Sequence, residues 1–568
     1  MGFVELIGVG SISPFISVVS NPEIIHTNKY LISLYEYFNF SSDTNFIIVF
    51  GIAIICCLAF SNMCLAGVSF IIHIFSAKRD HSISMRLFEK YLRQPYIFYL
   101  NINTSELSKN ILSEVYLYVN RVLIILLQLL SSAIISLFIV VLLIIVNPLL
   151  AVLTSITFAI IYIIVFSIVR KILAKKGKER FLQNQLKYKY INEAFGGIKD
   201  IKVLGKETVF LNFFSGPSKK LSMADAMNDV VNEIPKYLLE TIAFSGILCI
   251  IIFMIRSGMK IEDFLPVLTV YAVGAYRLLP SLQKIFRAIA SIRFHFQVVL
   301  NLHKDFTTLP EGESLATSKI NKISFNDSID LKNIVFRYPN THTDTIKNQS
   351  ISIKSNSSIA FVGSTGCGKT TFADIMLGLL EPQSGNIFVD GVEITTANRR
   401  GWQQNLGYVP QSIYLLDDSI EKNIAFGIDP LNIDKEAIVK AAKLANIHNF
   451  VISDLENGYD TIVGERGIRL SGGQRQRIGI ARAVYHDPSV LILDEATSAL
   501  DGLTENVIMD AIKNISHKKT IIIIAHRITT VKQCDVIYFM DKGEIVDYGS
   551  YDELYQKNNV FKKMADGY

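Results

Sequence analysis

The chain has 568 residues, half of them hydrophobic, and a mean hydropathy of +0.34, which excludes an ordinary soluble enzyme. The net charge of +5 is modest, and the basic residues lie mostly in two blocks of the N-terminal half. This distribution indicates membrane topology rather than nucleic-acid binding. None of the six cysteines falls in a predicted external loop, so no disulfide framework is expected.

Long apolar segments in the N-terminal half predict six membrane spans. Residues 122–146 carry no charge, and Asn147-Pro148 separates them from the next span, residues 149–169, in a tight hairpin. The other four predicted spans are residues 2–20, 46–75, 237–255 and 263–283.

The first predicted span begins almost at Met1, without the charged flank that a signal peptide would have. We therefore expect the natural chain to begin earlier, with an entry helix and a longer first span.

The basic residues fix the expected orientation. Loops 77–121 and 170–236 hold 7 and 14 Lys/Arg, whereas segments 21–44, 147–148 and 256–262 hold 1, 0 and 2. By the positive-inside rule the first two loops are cytoplasmic, and so is the C-terminal half. A short transverse helix is expected where each of these loops turns back, at residues 92–100 and 191–207.

The predicted organisation has three parts. Residues 1–305 form a membrane domain, residues 306–327 a polar linker, and residues 328–568 an α/β domain.

The α/β domain opens with a phosphate-binding loop. The apolar run SIAFVG (358–363) predicts a buried strand, and the residues after it match G-x-x-x-x-G-K-[ST], followed by apolar residues at helical spacing. Backbone N–H groups and the helix N-terminus favour phosphate there, while Lys369 would pair with the β/γ-phosphates and Thr370 would ligate Mg²⁺. The candidate ATP-binding residues of this loop are Gly363, Ser364, Thr365, Gly366, Cys367, Gly368, Lys369, Thr370 and Thr371.

Two further buried strands end in candidate catalytic residues. SVLILDE (489–495) predicts a parallel strand with Asp494 as a Mg²⁺ ligand and Glu495 placed to polarise an attacking water. The alternative for Glu495 is a plain surface carboxylate. TIIIIAH (520–526) places His526 at the carboxyl end of a strand, where ligands bind in open α/β sheets.

Together these residues resemble the nucleotide-binding domain of ABC transporters. The resemblance implies that Tyr338 stacks on adenine, that Gln411 contacts Mg²⁺ and acts in catalysis with Glu495 and His526, and that Asp501 lies in the D-loop. The stretch LSGGQ matches the family signature, which gives four more ATP-contacting residues: Ser471, Gly472, Gly473 and Gln474.

The resemblance also implies the fold and the assembly. The expected fold is a membrane α-helical bundle with six spans, of the ABC exporter type, fused to an α/β P-loop nucleotide-binding domain. Because the sequence holds one copy of each motif, it resembles a half-transporter that forms a homodimer with head-to-tail ATPase domains enclosing two ATP. Its expected location is the bacterial inner membrane.

The predicted external segment 21–44 narrows the range of expected substrates. Its aromatic and aliphatic residues are spaced for an amphipathic helix at the membrane interface: Tyr30, Leu31, Leu34, Tyr35, Tyr37 and Phe38. The sequence NKYLISLYEYFNF resembles the external helix of bacterial flippases for lipid-linked oligosaccharides (PglK type), and YRLLPSLQKI (276–285) resembles their sixth span. The alternative is a loop cap without a substrate role.

Three cations add to this hypothesis. Arg277, Lys284 and Arg287 fall within about 80° of one helix face, and a deep cation such as Arg277 is costly unless it faces a polar cavity. We expect these residues to contact the phosphates of a polyprenyl-pyrophosphate-linked oligosaccharide. The alternatives are an ion pair of Arg277 with Glu240 and cytoplasmic anchoring by the other two cations.

Two other functions remain open on the sequence alone. One is a general lipid or multidrug exporter that resembles the lipid A flippase. The other is a regulatory or channel-like ABC protein in which ATP gates a pathway, although intact Glu495 and His526 argue against it.

Overall fold

The structure is a computed structural model, and it describes residues 12–146, 148–256, 261–312, 321–496, 505, 518–525 and 527–566. The chain divides into two compact units. The first comprises Met1–Gln94 and Asn101–Gly312, and the second comprises Pro95–Leu100 and Glu313–Tyr568.

The first unit is helical throughout its described residues. Its α-helices are Ile12–Ser20, Ile24–Thr27, Lys29–Tyr37, Asp43–Leu92, Thr104–Lys109, Val115–Tyr118, Ile124–Val146, Pro148–Gly196, Ile198–Leu204, Glu207–Arg256, Ile261–Phe294 and Phe296–Thr308. Two π-helical turns, Asn110–Glu114 and Val119–Leu123, interrupt the stretch before Ile124–Val146.

Three stretches among the described residues are long and apolar enough to cross a membrane: Asp43–Leu92, Thr104–Val146 and Ser155–Gly196. They contain the predicted spans 46–75 and 122–146 and most of 149–169. The predicted spans 237–255 and 263–283 lie in the helices Glu207–Arg256 and Ile261–Phe294. Residues 12–20 of the predicted span 2–20 form a helix, and its residues 2–11 lie outside the described part. Asn147 of the predicted hairpin is also outside it.

A short helix is present at each of the two positions where a transverse helix is expected. Tyr96–Leu100 lies in the first loop that is predicted to be cytoplasmic and belongs to the second compact unit, while Ile198–Leu204 lies in the second such loop. Gly205 ends the latter helix in the left-handed conformation, at φ +60°. The expected linker, residues 306–327, differs from the structure at its start, because residues 306–308 belong to the helix Phe296–Thr308.

The segment 21–44, which is predicted to be external, forms the expected helix at Lys29–Tyr37. Leu31 is buried in a small cluster with Val18, Ile25 and Phe46. Tyr30, Leu34, Tyr37 and Phe38 are exposed. The helix is therefore held to the first unit by one face and presents aromatic side chains on the other.

The second unit is built on two sheets. An antiparallel sheet has the order β2-β1-β4-β5, and a six-stranded sheet has the order β10-β9-β3-β8-β7-β6. In chain order the strands are β1 (Ser328–Phe336), β2 (Ile346–Lys354), β3 (Ser358–Gly363), β4 (Ser384–Val389), β5 (Val392–Glu393), β6 (Leu406–Val409), β7 (Val490–Asp494), β8 (Thr520–Ile524), β9 (Val536–Asp541) and β10 (Glu544–Gly549).

The six-stranded sheet positions the site. Strands β3, β7 and β8 are buried along their whole length, as their continuous apolar sequences predict for central parallel strands. Because β3 pairs with β8 and β8 with β7 in parallel, their carboxyl ends lie at one edge. The described α-helices of this unit are Tyr96–Leu100, Lys369–Met376, Arg399–Gln403, Ile420–Ile424, Lys435–Leu444, His448–Ser453, Gly472–Val484, Tyr551–Lys557 and Asn559–Ala565.

Candidate functional site

The phosphate loop follows β3 and leads into the helix Lys369–Met376, as predicted. Gly363 has φ +153°, and a Cβ there would lie 2.1 Å from the carbonyl oxygen of Met540. Gly368 has φ +105°, and its Cβ would lie 2.8 Å from Ile346. Both positions therefore need glycine, for conformation and for space.

Lys369 closes this loop on itself. Its side chain is buried, and Nζ donates to the carbonyl oxygens of Gly363 at 2.9 Å and Ser364 at 3.0 Å. The Sγ of Cys367, also buried, lies 3.8 Å from Nζ. The ammonium group is thus held over the loop in which phosphates would lie.

Asp494, at the end of β7, lies beside the first turn of this helix. The Thr370 hydroxyl hydrogen-bonds to its carboxylate. Burial and then the charge of Glu495 raise the pKa of Asp494 to about 6. Its Oδ1 is buried and has no hydrogen-bond partner among the described residues.

This geometry fits a magnesium ion held together with phosphates. The described residues contain no group of three or more His, Cys, Asp or Glu side chains that could hold a metal. Magnesium at phosphate sites needs only one or two protein oxygens and prefers carboxylates. The spare carboxylate oxygen of Asp494 and the hydroxyl of Thr370 are such ligands.

A second buried carboxylate, Asp374, was not singled out from the sequence. Burial and the neighbouring Asp494 raise its pKa to about 6. It lies four residues after Thr370, one turn further along the same helix. That i,i+4 spacing was the available signal, since residues four apart share a helix face.

Glu495 directly follows β7 and adopts φ +50°, a conformation that non-glycine residues rarely take. Its Oε2 accepts from Nε2 of Gln411 at 2.7 Å, so the structure brings these two predicted residues together. Gln476 donates to the backbone oxygen of Glu495 at 3.2 Å and was missed by sequence reasoning. Its only signal was its position in the helix of the signature.

Tyr338 is half-buried beside the phosphate helix. Its hydroxyl lies 3.0 Å from Oγ1 of Thr371, and its ring meets that of Phe336 edge-on. These two contacts hold the Tyr338 ring beside the phosphate loop.

The signature begins the helix Gly472–Val484. Ser471 is the exposed N-cap, its Oγ accepts from the N–H of Gln474 at 3.2 Å, and Oε1 of Gln474 accepts from the N–H of Ser471 at 2.7 Å. This capping box fixes the helix start, where N–H groups and the helix dipole favour anions. Asp501 and His526, the remaining predicted ATP-site residues, lie outside the described residues.

The first unit contains a cavity of about 410 Å³ among the helices Asp43–Leu92, Ile124–Val146 and Ile261–Phe294. Arg277 and Lys284 both line it; Arg287 is exposed and is not among the lining residues. Polar side chains from the neighbouring helices complete the lining, and sequence reasoning had not identified them: Ser69, Gln128, Ser131, Ser132 and Ser281.

Two family models match this chain. The model of the ABC transporter transmembrane region matches residues 1–276, and the ABC transporter model matches residues 346–498. A solved bacterial Atm1-family ABC exporter with ATP bound has the same fold, with a TM-score of 0.77 and 22% identity over 98% of this chain and 97% of that one.

Two relatives illustrate the similarity. The ATP-dependent lipid A-core flippase of Wigglesworthia glossinidia brevipalpis is 29% identical over 87% of this chain and 84% of that protein. The Beta-(1-->2)glucan export ATP-binding/permease protein NdvA of Agrobacterium vitis is 44% identical over 42% of this chain and 41% of that protein. The chain thus covers less than half of the second relative.

A helical membrane region and an α/β ATPase domain in one chain define a transport ATPase. The chain belongs to the ABC transporters, as a half-transporter of the exporter type that couples ATP hydrolysis to transport. The predicted family and fold class are therefore confirmed, and the protein is a multi-pass membrane protein.

Proposed function

We propose that this exporter is a flippase that moves a polyprenyl-pyrophosphate-linked oligosaccharide from the cytoplasmic to the outer leaflet of the bacterial inner membrane. The observation that carries the proposal is the cavity in the first unit, where Arg277 and Lys284 meet hydroxyl and amide side chains. A pyrophosphate headgroup carries negative charge, and its saccharide offers hydroxyl groups to such a lining.

In this proposal the two cavity cations hold the phosphates. Arg277 and Lys284 are seven residues apart on one helix, about 10 Å along its axis, so they can contact a headgroup in succession. Serine hydroxyls and Gln128 supply hydrogen bonds around them. Arg287 lies a turn beyond Lys284 and is exposed, so we assign it attraction of the headgroup at the cytoplasmic approach.

The external helix Lys29–Tyr37 has a supporting role. It exposes Tyr30, Leu34 and Tyr37, and Phe38 directly after it is exposed too. The next helix, Asp43–Leu92, also exposes apolar side chains, such as that of Ile48. Aromatic side chains of this kind favour the membrane interface. The helix would lie there and contact the polyprenyl chain as the headgroup emerges.

The proposed ATP site lies in the second unit. Lys369 and the loop amides bind phosphates, Thr370, Gln411 and Asp494 hold Mg²⁺, and Tyr338 stacks on adenine. Bound Mg²⁺ neutralises charge on the phosphates. Glu495 polarises the attacking water while Gln411 orients its carboxylate, and His526 is the third catalytic residue.

We also propose a homodimer in which each ATP lies between the phosphate loop of one chain and the signature of the other. Ser471 is exposed at a helix N-terminus and is thus accessible to a partner. Asp501 would lie at the same junction. Each ATP site is then incomplete in one chain.

Co-assembly of two differently tagged variants tests this arrangement. A Lys369→Ala chain paired with a Ser471→Arg chain keeps one intact shared site and should hydrolyse ATP. A chain with both substitutions paired with wild type has no intact shared site and should be inactive. The opposite pattern would show that each chain binds and hydrolyses ATP alone.

The second candidate is an exporter of lipid A-like lipids, which the match with a lipid A-core flippase over 87% of this chain favours. Purified protein in proteoliposomes separates the two, using a polyprenyl-diphosphate saccharide, lipid A and an uncharged amphiphile in parallel. We expect wild type to flip the first lipid alone in the presence of ATP, and we expect no flipping by Glu495→Gln. Flipping of lipid A without the polyprenyl lipid would replace the proposal with the second candidate.

A further inference from the structure

The helical stretch Thr104–Val146 contains two π-turns just before its apolar span. The N–H of Val115 bonds to the oxygen of Asn110, and the N–H of Ile124 bonds to that of Val119, so both bonds join residues five apart. A π-turn holds one residue more than an α-turn and frequently marks a functional site. Two of them within fifteen residues require a physical reason.

The beginning of this segment is firmly anchored. The side-chain amide of Asn110 donates to Tyr91 Oη and to Asp305 Oδ2, both at 3.0 Å, and accepts from Asn301 Nδ2 at 3.2 Å. Tyr91 also donates to Asp305, at 2.6 Å. Asn110 therefore joins the cytoplasmic ends of Asp43–Leu92 and Phe296–Thr308, the latter being the last helix before the ATPase domain in sequence.

Charges beside the first π-turn are fully buried and incompletely paired. Lys109 and Glu114 have no exposed surface, and Lys109 Nζ and Glu114 Oε2 lack hydrogen-bond partners among the described residues. Lys109 lies over the Phe181 ring at 3.9 Å, and Glu114 accepts from Asn184 with its other oxygen at 3.0 Å.

Arg180 adds a third buried charge, since its Nε donates to Asp225 at 3.1 Å while NH1 lacks a partner among the described residues. Buried charges without full hydrogen bonding are costly, and native structures rarely keep them without a reason. An arrangement that leaves three such atoms unpaired is the pattern expected of an element that has a second arrangement.

The helix beyond the π-turns faces the cavity. Ile124–Val146 contributes Gln128, Ser131 and Ser132 to the lining. Conversion of one π-turn to an α-turn would rotate this helix relative to Asn110 by about 100° and advance it by about 1.5 Å. That rotation would exchange the side chains that face the cavity.

We propose that the π-turns Asn110–Glu114 and Val119–Leu123 form a register switch: during the ATP-driven cycle the first π-turn becomes α-helical and turns the cavity-lining helix, while Lys109, Glu114 and Arg180 exchange partners. The switch does not depend on which lipid is carried.

Site-specific photo-crosslinking in the reconstituted full-length protein tests the rotation. A photoreactive amino acid is placed singly at positions 126 to 134, and its capture of the helix Ile261–Phe294 is mapped without nucleotide and with ATP plus orthovanadate. The positions that capture that helix should shift by about one residue, or 100°, between the two states. Identical capture patterns in both states, with nucleotide trapped, would overturn the proposal.

Deletion of Leu112 tests the π-turn itself. Leu112 is exposed within the first π-turn, so its removal lets that turn close as α-helix without moving either flank. We expect ATP binding and basal hydrolysis to remain, while the crosslinking shift disappears and transport falls by at least about tenfold. A deletion variant that assembles and still shows the shift would contradict the proposal.

Glu114→Gln keeps the proposal testable if the deletion variant fails to assemble. Glutamine preserves an acceptor for Asn184 but removes the charge with which Lys109 would pair after the switch. We expect the ATP-vanadate crosslinking pattern to be at least about threefold less populated than in wild type. The exposed Glu193→Gln should leave it unchanged, and equal populations in Glu114→Gln and wild type would refute the exchange of partners.

Discussion

The ATPase unit and the membrane unit hold their cations in opposite ways. Lys369 is buried and bonded to two loop carbonyls, so its position is fixed by the backbone. Lys284 is exposed at a cavity of about 410 Å³, where the groups facing it are flexible side chains. A prebuilt backbone site suits ATP, which has one constant structure, whereas the headgroup of the proposed lipid substrate needs room and movable donors.

The glycines show the same difference. A Cβ on Gly363 would lie 2.1 Å from the Met540 oxygen, whereas a Cβ on Gly246, in the helix Glu207–Arg256, would meet nothing within 4 Å. The membrane unit is not loose everywhere, because Gly177 lies against the backbone of Phe294, 2.0 Å from where its Cβ would be. Tight backbone packing there holds helices together rather than forming a ligand site.

The largest expected effect is in the ATPase unit. Glu495→Gln should reduce ATP hydrolysis by about 100-fold to 10,000-fold, because it removes the carboxylate that Gln411 orients. ATP binding should remain, which equilibrium binding of a labelled nucleotide would check alongside phosphate release. Glu544→Gln, an exposed carboxylate elsewhere in this unit, is the control. Wild-type turnover by Glu495→Gln would exclude its assigned role.

The next largest effect is expected at Gly363, with Gly246 as the comparison. Gly363→Ala should abolish measurable ATP binding, because the new methyl group cannot fit and the backbone angle is unfavourable. Gly246→Ala should leave binding intact and stabilise its helix by up to about 1 kcal/mol, which a thermal unfolding assay in detergent would detect. Equal nucleotide affinity in both variants would mean that the phosphate loop is not prebuilt.

The pH dependence of Asp494 gives a third, smaller effect. Its pKa in the folded protein is about 6, above the ordinary value of 3.8, so the folded state binds its proton more tightly. The sign is therefore a loss of stability as pH rises from about 4 to about 6. Asp494→Asn should raise the melting temperature of the nucleotide-free, metal-free protein at pH 7.5, and by less at pH 5.

The same carboxylate must be ionised to bind Mg²⁺, so Mg²⁺-dependent hydrolysis should decline below about pH 6. Asp494→Asn should abolish that hydrolysis at all pH values. A variant that is neither more stable at pH 7.5 nor inactive would contradict the burial of a charged ligand at this position.

The smallest effects distinguish the cations of the membrane unit. Arg277→Gln should slow flipping of a pyrophosphate-linked lipid by about tenfold, because one charged contact within the cavity is lost. Arg287→Gln should slow it by less than about twofold, because this side chain is exposed to solvent. Initial flipping rates in proteoliposomes at physiological salt would compare them, and equal losses would place both cations in one site.

The parts predictable from sequence are those that backbone chemistry dictates. SIAFVG and SVLILDE form the buried strands expected of their apolar runs, and the glycine pattern after β3 forms the phosphate loop. The cavity lining was only half predictable. A deep arginine signals a polar environment, but Ser131 or Gln128 in an apolar span reads equally as a helix–helix contact.

Other features left no usable signal. The π-turns depend on packing of buried Asn110 and Glu114 against distant helices, which helical periodicity alone does not reveal. Residues 306–308 were expected in a linker because the stretch 301–327 is rich in Ser, Asn and Lys, but they complete a helix whose apolar residues Val298 and Leu302 are buried. The polar composition of this stretch does not reveal that one face of the helix Phe296–Thr308 is buried.

The most direct test of the proposed transport compares two lipids that differ only in the pyrophosphate. A polyprenyl-diphosphate saccharide and the same saccharide linked to polyprenol without phosphate are assayed for ATP-driven flipping by wild type and by the double variant Arg277→Gln/Lys284→Gln. We expect wild type to flip the diphosphate lipid at least about tenfold faster, and the double variant to lose that preference. A preference that survives the loss of both cations would contradict the account.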